Sequence, residues 1–515
     1  MMLNVNNTIM KFIQNLSIFA LVSLFTTAAM AQGEYDAMKF SQTDLHGSAR
    51  FMSMSGAFGA LGGDATAISY NPAGIGVYRS SEFTFSPTFS RTRSESELGL
   101  SQTSGSQLNL LLDGIAYVGS FRTGSNSSLT NFNFGISYNK LKDFNRTLRI
   151  HGQNRTNSLL DKVAGSLGDV QPSMLGDLPY LAYETYLINH LPGIGYESIL
   201  GPGERLDNDM YFEEDGGIGV WDITLGGNWD HYLYVGGSIG IQNIHYELMS
   251  SYWESPVSNS FEYDLRNAIV TDGTGVNAKI GVIIRPFAGF RFGFAMHSPT
   301  YYYLTDAFAA SLYSDLYGGS FVPVSSEGAH DAAFSENYAD YQLSTPGKLL
   351  YSVAYMFGNR GLLSLDWEVI DYNSTQLRSE SGFPYDETND EIAAHTRAIS
   401  NLRLGGEFRI SETVSLRAGG AWYQSPYRDS QAAANTEIVT VGTTPHYSMG
   451  QELYYMTGGV GYRTGSFFLD AALVHQTAKE QFFNYYDGSN DHNDAKYANV
   501  KTNKLNVVLS TGFRF

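Results

Sequence analysis

The sequence predicts an all-β fold, a transmembrane antiparallel β-barrel of about fourteen strands with an N-terminal hatch (plug) inside the barrel. Three observations support it. From position 81 onward, segments of about ten to fifteen residues alternate apolar and polar side chains, as strands with one lipid-facing and one lumen-facing side do. After residue 31, no apolar run reaches the roughly 18 residues that a spanning helix needs. The last such segment ends the chain on an aromatic residue.

The composition agrees with a membrane barrel. Aromatic residues make up 14% of the chain and charged residues only 16%, whereas soluble domains carry about 25% charge. The chain has no cysteine, which excludes thiolate chemistry, and a closed barrel is held by inter-strand hydrogen bonds instead of disulfides. A formal charge of −19 argues against a nucleic-acid partner.

The N-terminus predicts export. Residues 1–31 carry one cation, Lys11, an apolar run over 12–24 and the small-residue triplet Ala29, Met30, Ala31. This is the pattern of a signal peptide cleaved after Ala31. The alternative, a retained anchor, is disfavoured by polar residues inside the apolar run. We therefore expect a multi-pass barrel in the outer membrane of a Gram-negative bacterium, in contact with outer-membrane lipids.

The strand pattern is clearest in a predicted hairpin over 402–422. Apolar residues occupy one face of its first strand from Leu402 to Ile410, and only residues 411–413 separate it from the next. Short breaks near 124–130, 229–231, 286–288, 358–361, 411–413 and 464–466 alternate with long ones near 151–215, 250–274, 305–345, 376–396, 426–451 and 480–500. Short turns should be periplasmic and long loops extracellular. A soluble all-β protein would have no reason to alternate in this way.

The final segment has the form of a closing strand. Leu505, Val507, Leu509, Phe513 and Phe515 share one face, and the chain stops on the last of them. We expect Phe513 and Phe515 to form the assembly signal that the barrel-assembly machinery recognises. The alternative is an amphipathic terminus that arose by chance.

Residues 32–80 differ from the barrel region, 81–515. They are rich in glycine and small residues, which can pack tightly inside a barrel of this size. The bulky apolar residues there are Phe51, Met52, Met54 and Phe58. The turn Asn71, Pro72, Ala73, Gly74 has a physical reason, because proline fixes φ and glycine can adopt positive φ. We expect this segment to be the hatch.

Two stretches carry a family resemblance. G-G-D-A-T-A-I-S-Y-N-P-A-G, residues 62–74, and residues 276–300, with their R-P turn and H-S-P-T ending, resemble the FadL/TodX outer-membrane transporters of long-chain fatty acids and aromatic hydrocarbons. The resemblance implies a barrel closed by an N-terminal hatch, passive uptake of hydrophobic small molecules and their release sideways at a kinked strand. It also implies that Asn71, Pro72, Ala73 and Gly74 are hatch residues and that 151–215 is the ligand-capturing loop. No cofactor is expected.

Candidate ligand contacts come from two places. The loop contributes a moderately apolar stretch whose spacing suits a short amphipathic helix, and the hatch contributes its bulky residues. An alternative is that the loop residues only pack onto the barrel rim. The candidates are Phe51, Met52, Met54, Phe58, Leu178, Tyr180, Leu181, Tyr183 and Leu187.

Charged residues on neighbouring strands are expected to face one lumen. Charges in a low-dielectric space must be paired, so we expect an ion-pair ladder against the hatch, with a site for a ligand carboxylate as the alternative. Its members are Asp366, Glu368, Arg403, Glu407, Arg409 and Arg417. Gly114, Gly135 and Gly236 mark places where a strand could bend.

The sequence offers no anchor for enzyme chemistry, since it contains neither H-E-x-x-H nor G-x-S-x-G. Asp487, Asp491 and Asp494 could bind Ca²⁺, although solvated loop charge is the simpler interpretation, so no metal site is predicted. Two alternative functions stay open. One is a binding or shuttle protein that serves a secretion system, and the other is a haemin receptor with His46, His151 or His190 as axial ligand.

Overall fold

The computed structural model describes residues 33–124, 127–201, 203–258, 261–316, 332–333, 337–428, 440, 443–485 and 497–515. The predicted signal peptide and the loop aspartates Asp487, Asp491 and Asp494 lie outside these residues. No helix in the described part of the chain is long and apolar enough to cross a membrane.

The structure consists mainly of long strands. They are β1 (Glu82–Leu98), β2 (Ser101–Arg122), β3 (Leu129–Asp143), β4 (Arg146–Arg155), β5 (Ile188–Leu191), β6 (Gly195–Ser198), β7 (Leu206–Trp229), β8 (Leu233–Pro256), β9 (Tyr263–Ile284), β10 (Phe290–His297), β11 (Tyr301–Ser314), β12 (Ala332–Ala333), β13 (Asn337–Ser344), β14 (Lys348–Phe357), β15 (Gly361–Asp371), β16 (Gln376–Ser379), β17 (Ala398–Arg409), β18 (Val414–Tyr423), β19 (Tyr447–Thr464), β20 (Phe467–Phe483) and β21 (Ala498–Arg514). The helices are α1 (Glu34–Ser41), α2 (Ala49–Met52), α3 (Ala67–Tyr70), α4 (Leu159–Ser166), α5 (Asp177–Glu184) and α6 (Asp386–His395), with 3₁₀ turns at Pro72–Val77, Pro172–Met174 and Tyr372–Ser374.

The sheet closes on itself. β1 pairs antiparallel with β2 on one side and with β21 on the other, so no edge strand is left at the chain ends. The wall has fourteen antiparallel strands, four of which are interrupted, namely β3/β4, β10/β11, β13/β14 and β15/β16. This confirms the predicted barrel and its strand number.

Burial alternates along the strands as predicted. On β1, every buried residue from Thr84 to Ser96 on the inner face carries a hydroxyl, whereas Phe83, Phe85 and Phe89 are exposed on the outer face. The inner face is therefore lined by small polar side chains that leave room for another segment. On β21, Leu505, Val507, Leu509 and Phe513 face outward as expected, as does Phe515 directly after it, and Asn506 and Ser510 face inward.

The connections between strands alternate in length as predicted, except that some of those predicted to be long are shorter in the structure. The turn between β1 and β2 is residues 99–100, and that between β8 and β9 is residues 257–262, although a long break over 250–274 was predicted. That prediction was wrong because β8 continues to Pro256 as a paired strand with alternating burial. The long connection predicted over 151–215 shortens to 156–205 for a similar reason, since β4 and β7 extend into it and pair.

Residues 33–80 are enclosed by the wall. Most of them are buried, and they form hydrogen bonds with inward-facing groups on well-separated strands. The Ala49 amide donates to Ser510 of β21, Arg291 of β10 donates to the Leu61 carbonyl, and Asn131 of β3 donates to the Tyr78 carbonyl. The segment therefore lies across the barrel interior and contacts several sides of the wall.

Candidate functional site

The turn 71–74 is held by both its own backbone and the wall. The Asn71 side chain accepts from the Ala73 amide and donates to the Gly59 carbonyl at 2.6 Å. A Cβ at Gly236 would lie 2.3 Å from the Pro72 carbonyl oxygen, and one at Gly281 would lie 1.9 Å from Asn71 Oδ1. Gly236 is therefore needed because the turn presses against β8.

Phe51, Met52, Met54 and Phe58 are fully buried in one cluster between residues 45–70 and the wall. The Phe51 ring lies 5.5 Å from Phe58 and 4.8 Å from Tyr70, between ring centroids. Each of these side chains is packed against protein on all sides. The structure thus gives them a packing environment, and they do not meet the loop residues with which they were grouped as ligand contacts.

Charged side chains tie this part of the segment to the wall. Arg50 donates to Glu407, which also accepts from Arg417, and Arg417 continues to Asp470 at 2.6 Å. Asp366 accepts from the backbone amides of Phe58 and Gly59 at 3.0 and 2.9 Å. These contacts form an ion-pair network that anchors the segment.

A second branch of the network joins Glu368, Arg403 and Tyr423. Arg409 does not take part as predicted, because it lies at the end of β17 with an exposed side chain. Arg50 and Asp470, which the sequence reasoning missed, complete the network. The alternation could have placed Asp470 on the inner face of β20, but the position of Arg50 depends on how the segment folds.

The loop over 156–205 builds an apolar cluster against the inner faces of the strands. Leu160 and Val163 of α4 and Leu181 of α5 are buried in it together with Leu187. Leu178 and Tyr183 pack against it, whereas Tyr180 of the same helix is 38% exposed. The predicted helix is α5, and four of the five loop candidates lie at this cluster.

Three aromatic rings connect the loop cluster to the N-terminal segment. Phe40 of α1 lies 6.0 Å from Phe144 and 5.8 Å from Tyr246 between ring centroids, and the latter two lie 5.0 Å apart. All three contacts are edge-to-face, a favoured geometry for aromatic pairs. We call Phe40, Phe144 and Tyr246 the aromatic triad. It joins α1, the break between β3 and β4, and β8.

Two cavities flank α1. One, of about 60 Å³, borders Phe40 and also contacts Tyr70, Lys279, His297 and Lys348. The other, of about 200 Å³, borders Tyr35 and Lys39 and is lined by polar and charged side chains, including Lys142, Arg146, Glu214 and Lys504. Unlike the Phe51 region, α1 therefore has space beside it.

The wall is interrupted next to the triad. β2 pairs with β3 only from Gly114 to Arg122, and no ladder joins the remainder of β2 to β4 within the described residues. β4 pairs with β7 instead. The bend is accommodated at Gly216, whose φ of +108° and lack of space for a Cβ exclude other residues, and its carbonyl accepts from the Phe144 amide.

The part of β2 before Gly114, which pairs with β1 but not with β3, presents apolar side chains at this gap. Leu108 and Leu110 are 73% and 69% exposed, the former among the most exposed leucines of the barrel. Side-chain hydrogen bonds border the gap: Gln107 Nε2 of β2 donates to Asp215 Oδ1 of β7 at 3.0 Å, and the Thr103 hydroxyl of β2 donates to the Arg149 carbonyl of β4. Gly114 marks the start of this gap, since the β1–β2 register shifts between Ser86 and Pro87 opposite it.

The structure resembles that of a Pseudomonas aeruginosa FadL homologue, with a TM-score of 0.54 and 13% identity over 92% of this chain and 100% of the other. The chain has a FadL-type fold. It also resembles the Pseudomonas putida toluene transporter TodX, with a TM-score of 0.50 and 12% identity over 92% and 100% of the two chains. No protein-family model matches the sequence, and no curated protein matches it.

The three histidines considered for haemin lie in different parts of the chain, and each faces a carboxylate. His46 is buried and bonded to Asp113 at 3.0 Å, His151 lies 3.5 Å from Asp209, and His190 lies 2.9 Å from Asp169. In the described part of the chain, no group of three histidine or acidic side chains is arranged to hold a metal. The haemin hypothesis gains no support from this arrangement.

The α1 end of the segment carries its own charges. Asp36 and Lys39 form an ion pair of 3.2 Å, and burial raises the pKa of Asp36 although Lys39 opposes the shift. Glu34 accepts from His395 at the end of α6, at 2.8 Å, and this hydrogen bond raises the pKa of His395. α1 is thus linked to an external loop as well as to the triad.

Proposed function

We propose that the protein is an outer-membrane channel for passive uptake of hydrophobic small molecules, with long-chain fatty acids and aromatic hydrocarbons as the two candidate classes. The observation that carries the proposal is the aromatic triad. It connects an apolar loop cluster, the short helix α1 with its neighbouring cavities, and a gap in the wall. The names of the similar structures, a FadL homologue and a toluene transporter, agree with this class of cargo.

Capture takes place at the loop cluster. A hydrophobic molecule leaves water there because removal of apolar surface is favourable by about 25 cal/mol per Å². The partly exposed Tyr180 and Tyr186 at its rim supply first contacts, and Leu181 and Leu187 supply the buried interior. Short turns at the opposite end of the barrel support an extracellular position for this loop.

Passage then requires α1 to shift. A ligand that enters the cluster competes with Phe40 for Phe144 and Tyr246, and the cavities on both sides of α1 give the helix room to move. The ligand leaves through the gap between β2 and β4, where Leu108 and Leu110 offer an apolar path to the lipid. No energy source is needed for movement down a gradient.

The remaining parts have supporting roles in this proposal. Residues 32–80 act as the hatch, with Asn71, Pro72, Ala73 and Gly74 as its wall contact, and 81–515 form the transmembrane barrel after removal of residues 1–31. Phe513 and Phe515, both exposed on the outer face, present the assembly signal to the barrel-assembly machinery. The outward apolar side chains contact outer-membrane lipids.

The test is a Phe144→Leu substitution with uptake of radiolabelled oleate and toluene measured in a host that lacks its own hydrophobic-compound channel. Leucine keeps the site apolar but removes the edge-to-face contacts, which contribute about 1 kcal/mol each. We expect a severalfold change in uptake of whichever compound is carried. Phe468→Leu, a buried aromatic near the other end of the barrel, is the matched control. Wild-type uptake no faster than that of the empty host, for both compounds, would refute the proposal.

A further inference from the structure

The outer wall carries a patch of positive charge on three adjacent strands. Arg91 and Arg93 of β1, Lys479 of β20 and Lys501 of β21 are exposed and point away from the lumen. The strand register brings them together, because Lys501 lies opposite Lys479 on one side and opposite Glu95 on the other. We call these four residues the cationic patch.

The cationic patch lies at the extracellular border of the apolar band. Arg91 is opposite Leu505, and toward the periplasmic end the outward residues of the same strands are Val507, Leu473 and Phe89, all exposed. Above Arg91, the outward residues are polar or charged up to the turn at residues 99–100. This is the level at which lipid headgroups meet a barrel.

The sign of the cationic patch is opposite to that of the protein as a whole. The chain carries a formal charge of −19, yet the four cations here share the outer surface with two carboxylates, Glu95 and Glu97, while Glu480, which borders the same space, pairs with Arg146. Arg93 pairs with Glu95 at 3.0 Å, and within the described residues the other three cations form no ion pair. At a corresponding height elsewhere on the wall, a groove is bordered by Asp272, Asp340 and Glu380 instead.

The cationic patch and an apolar groove share the same strands. The patch borders a space of about 680 Å³. Farther down β19, β20 and β21, a groove of about 740 Å³ runs between Met456, Val460, Leu473 and Val507 and extends to His475. Its floor is low because Gly458 and Ala471 occupy outward positions. One surface thus offers positive charge above and an acyl-sized apolar trough below.

We propose that this surface binds an anionic, phosphorylated lipid of the outer leaflet, with its phosphate at the cationic patch and an acyl chain in the groove. The inference rests on the membrane placement in the proposed function but not on transport. Positive residues near an anionic lipid surface each contribute roughly fivefold in affinity. The groove adds contact area that a free phosphate ion could not use.

The experiment is native mass spectrometry of the mature protein in mild detergent, titrated with diphosphoryl lipid A. We expect one bound lipid for the wild type and about 25-fold weaker binding for Lys479→Gln/Lys501→Gln, at about fivefold per charge. Gly458→Leu should also weaken binding by filling the groove, and it should fold, since an added Cβ there meets only the Arg417 carbonyl oxygen at 3.8 Å. Arg409→Gln, an exposed cation at the opposite rim, is the control and should bind like wild type.

Two further probes separate the sources of the signal. Phosphatidylcholine, which is zwitterionic, should bind much more weakly than lipid A. Inorganic phosphate should fail to displace lipid A at equal concentration. Equal binding by wild type and the double variant, equal binding of phosphatidylcholine, or full displacement by inorganic phosphate would each overturn the proposal. Because binding is measured directly, these outcomes are independent of whether uptake is observed.

Discussion

Two parts of the enclosed N-terminal segment are held in different ways. Residues 49–61 are almost completely buried, with Phe51 and Phe58 packed on all sides and Arg50 in an ion-pair network with three strands. α1, over Glu34–Ser41, is also largely buried, with Met38 in a core cluster that includes Tyr372 and Phe483, but it lies between two cavities and is otherwise held by the aromatic triad and by ion pairs. Residues 49–61 are thus tied to the wall by packing and charge, whereas α1 has cavities beside it.

In the proposed function, this difference assigns closure of the barrel to residues 49–61 and gating to α1. Residues 49–61 are close-packed, and moving them would leave voids. We therefore expect that part to stay in place as a plug. α1 can shift more readily, because space already borders it, although a shift must also displace the buried Met38. Elements that move in function generally come from the less stable parts of a structure.

The largest expected effect comes from forcing residues 49–61 off the wall. A Cβ at Gly293 would lie 2.3 Å from the Gly59 carbonyl oxygen, so Gly293→Val must displace the segment, at a cost of about 3 kcal/mol. We expect protease cleavage within the segment and greater vancomycin sensitivity of cells, while the barrel still shows heat-modifiable migration. Gly406→Val is the control, since its Cβ meets no atom closer than 3.6 Å. Unchanged protection in Gly293→Val would show that this part is not pressed against β10.

A smaller effect is expected from weakening the charge network. Glu407→Gln leaves the Arg50 and Arg417 guanidinium groups short of one carboxylate, although Asp470 still pairs with Arg417. Loss of one partner from a buried pair is destabilising, and we expect about 2 kcal/mol here. Urea unfolding in detergent measures it, with the exposed Glu412→Gln as control. Equal unfolding midpoints for both variants would mean that the network does not anchor the segment.

The smallest effect concerns the attachment of α1 to α6. The hydrogen bond with Glu34 raises the pKa of His395, so the protonated pair stabilises the attachment below the ordinary histidine pKa of about 6.5, and this stabilisation is lost as pH rises through the raised value. We expect the protection factors of residues 34–41, which correct the exchange rates for the intrinsic effect of pH, to fall modestly over that range, because the histidine is partly exposed and solvent screens it. In His395→Gln this pH dependence should vanish, and its persistence would contradict the assignment to this pair.

The sequence predicted the wall well because alternation is a local property. Outward residues such as Leu402 and Phe513 could be identified from their neighbours alone, and the turn at Asn71 from its proline and glycine. Strand lengths were harder to predict. β8 continues to Pro256 with polar side chains on its outer face, so the apolar signal faded before the strand ended.

The candidate site was predicted only in part, since it depends on long-range contacts. Phe40 and Phe144 are single aromatic residues with no pattern around them, and they become a site only when α1 meets the gap beside β4. Leu181 and Leu187 were found through helical spacing, and they pack in a different cluster from Phe51, so the ligand-contact role of both sets stays a prediction. The gap itself follows from pairing of β4 with β7 instead of β2, which no local signal encodes.

Hydrogen–deuterium exchange with and without a transported ligand tests the central distinction most directly. On addition of oleate or toluene, whichever is carried, the account predicts faster exchange in residues 34–41 and unchanged, slow exchange in residues 49–61. Phe144→Leu should raise exchange in residues 34–41 even without ligand, since it loosens the triad. Equal response of the two parts, or no response of α1 to a ligand that is transported, would contradict the account.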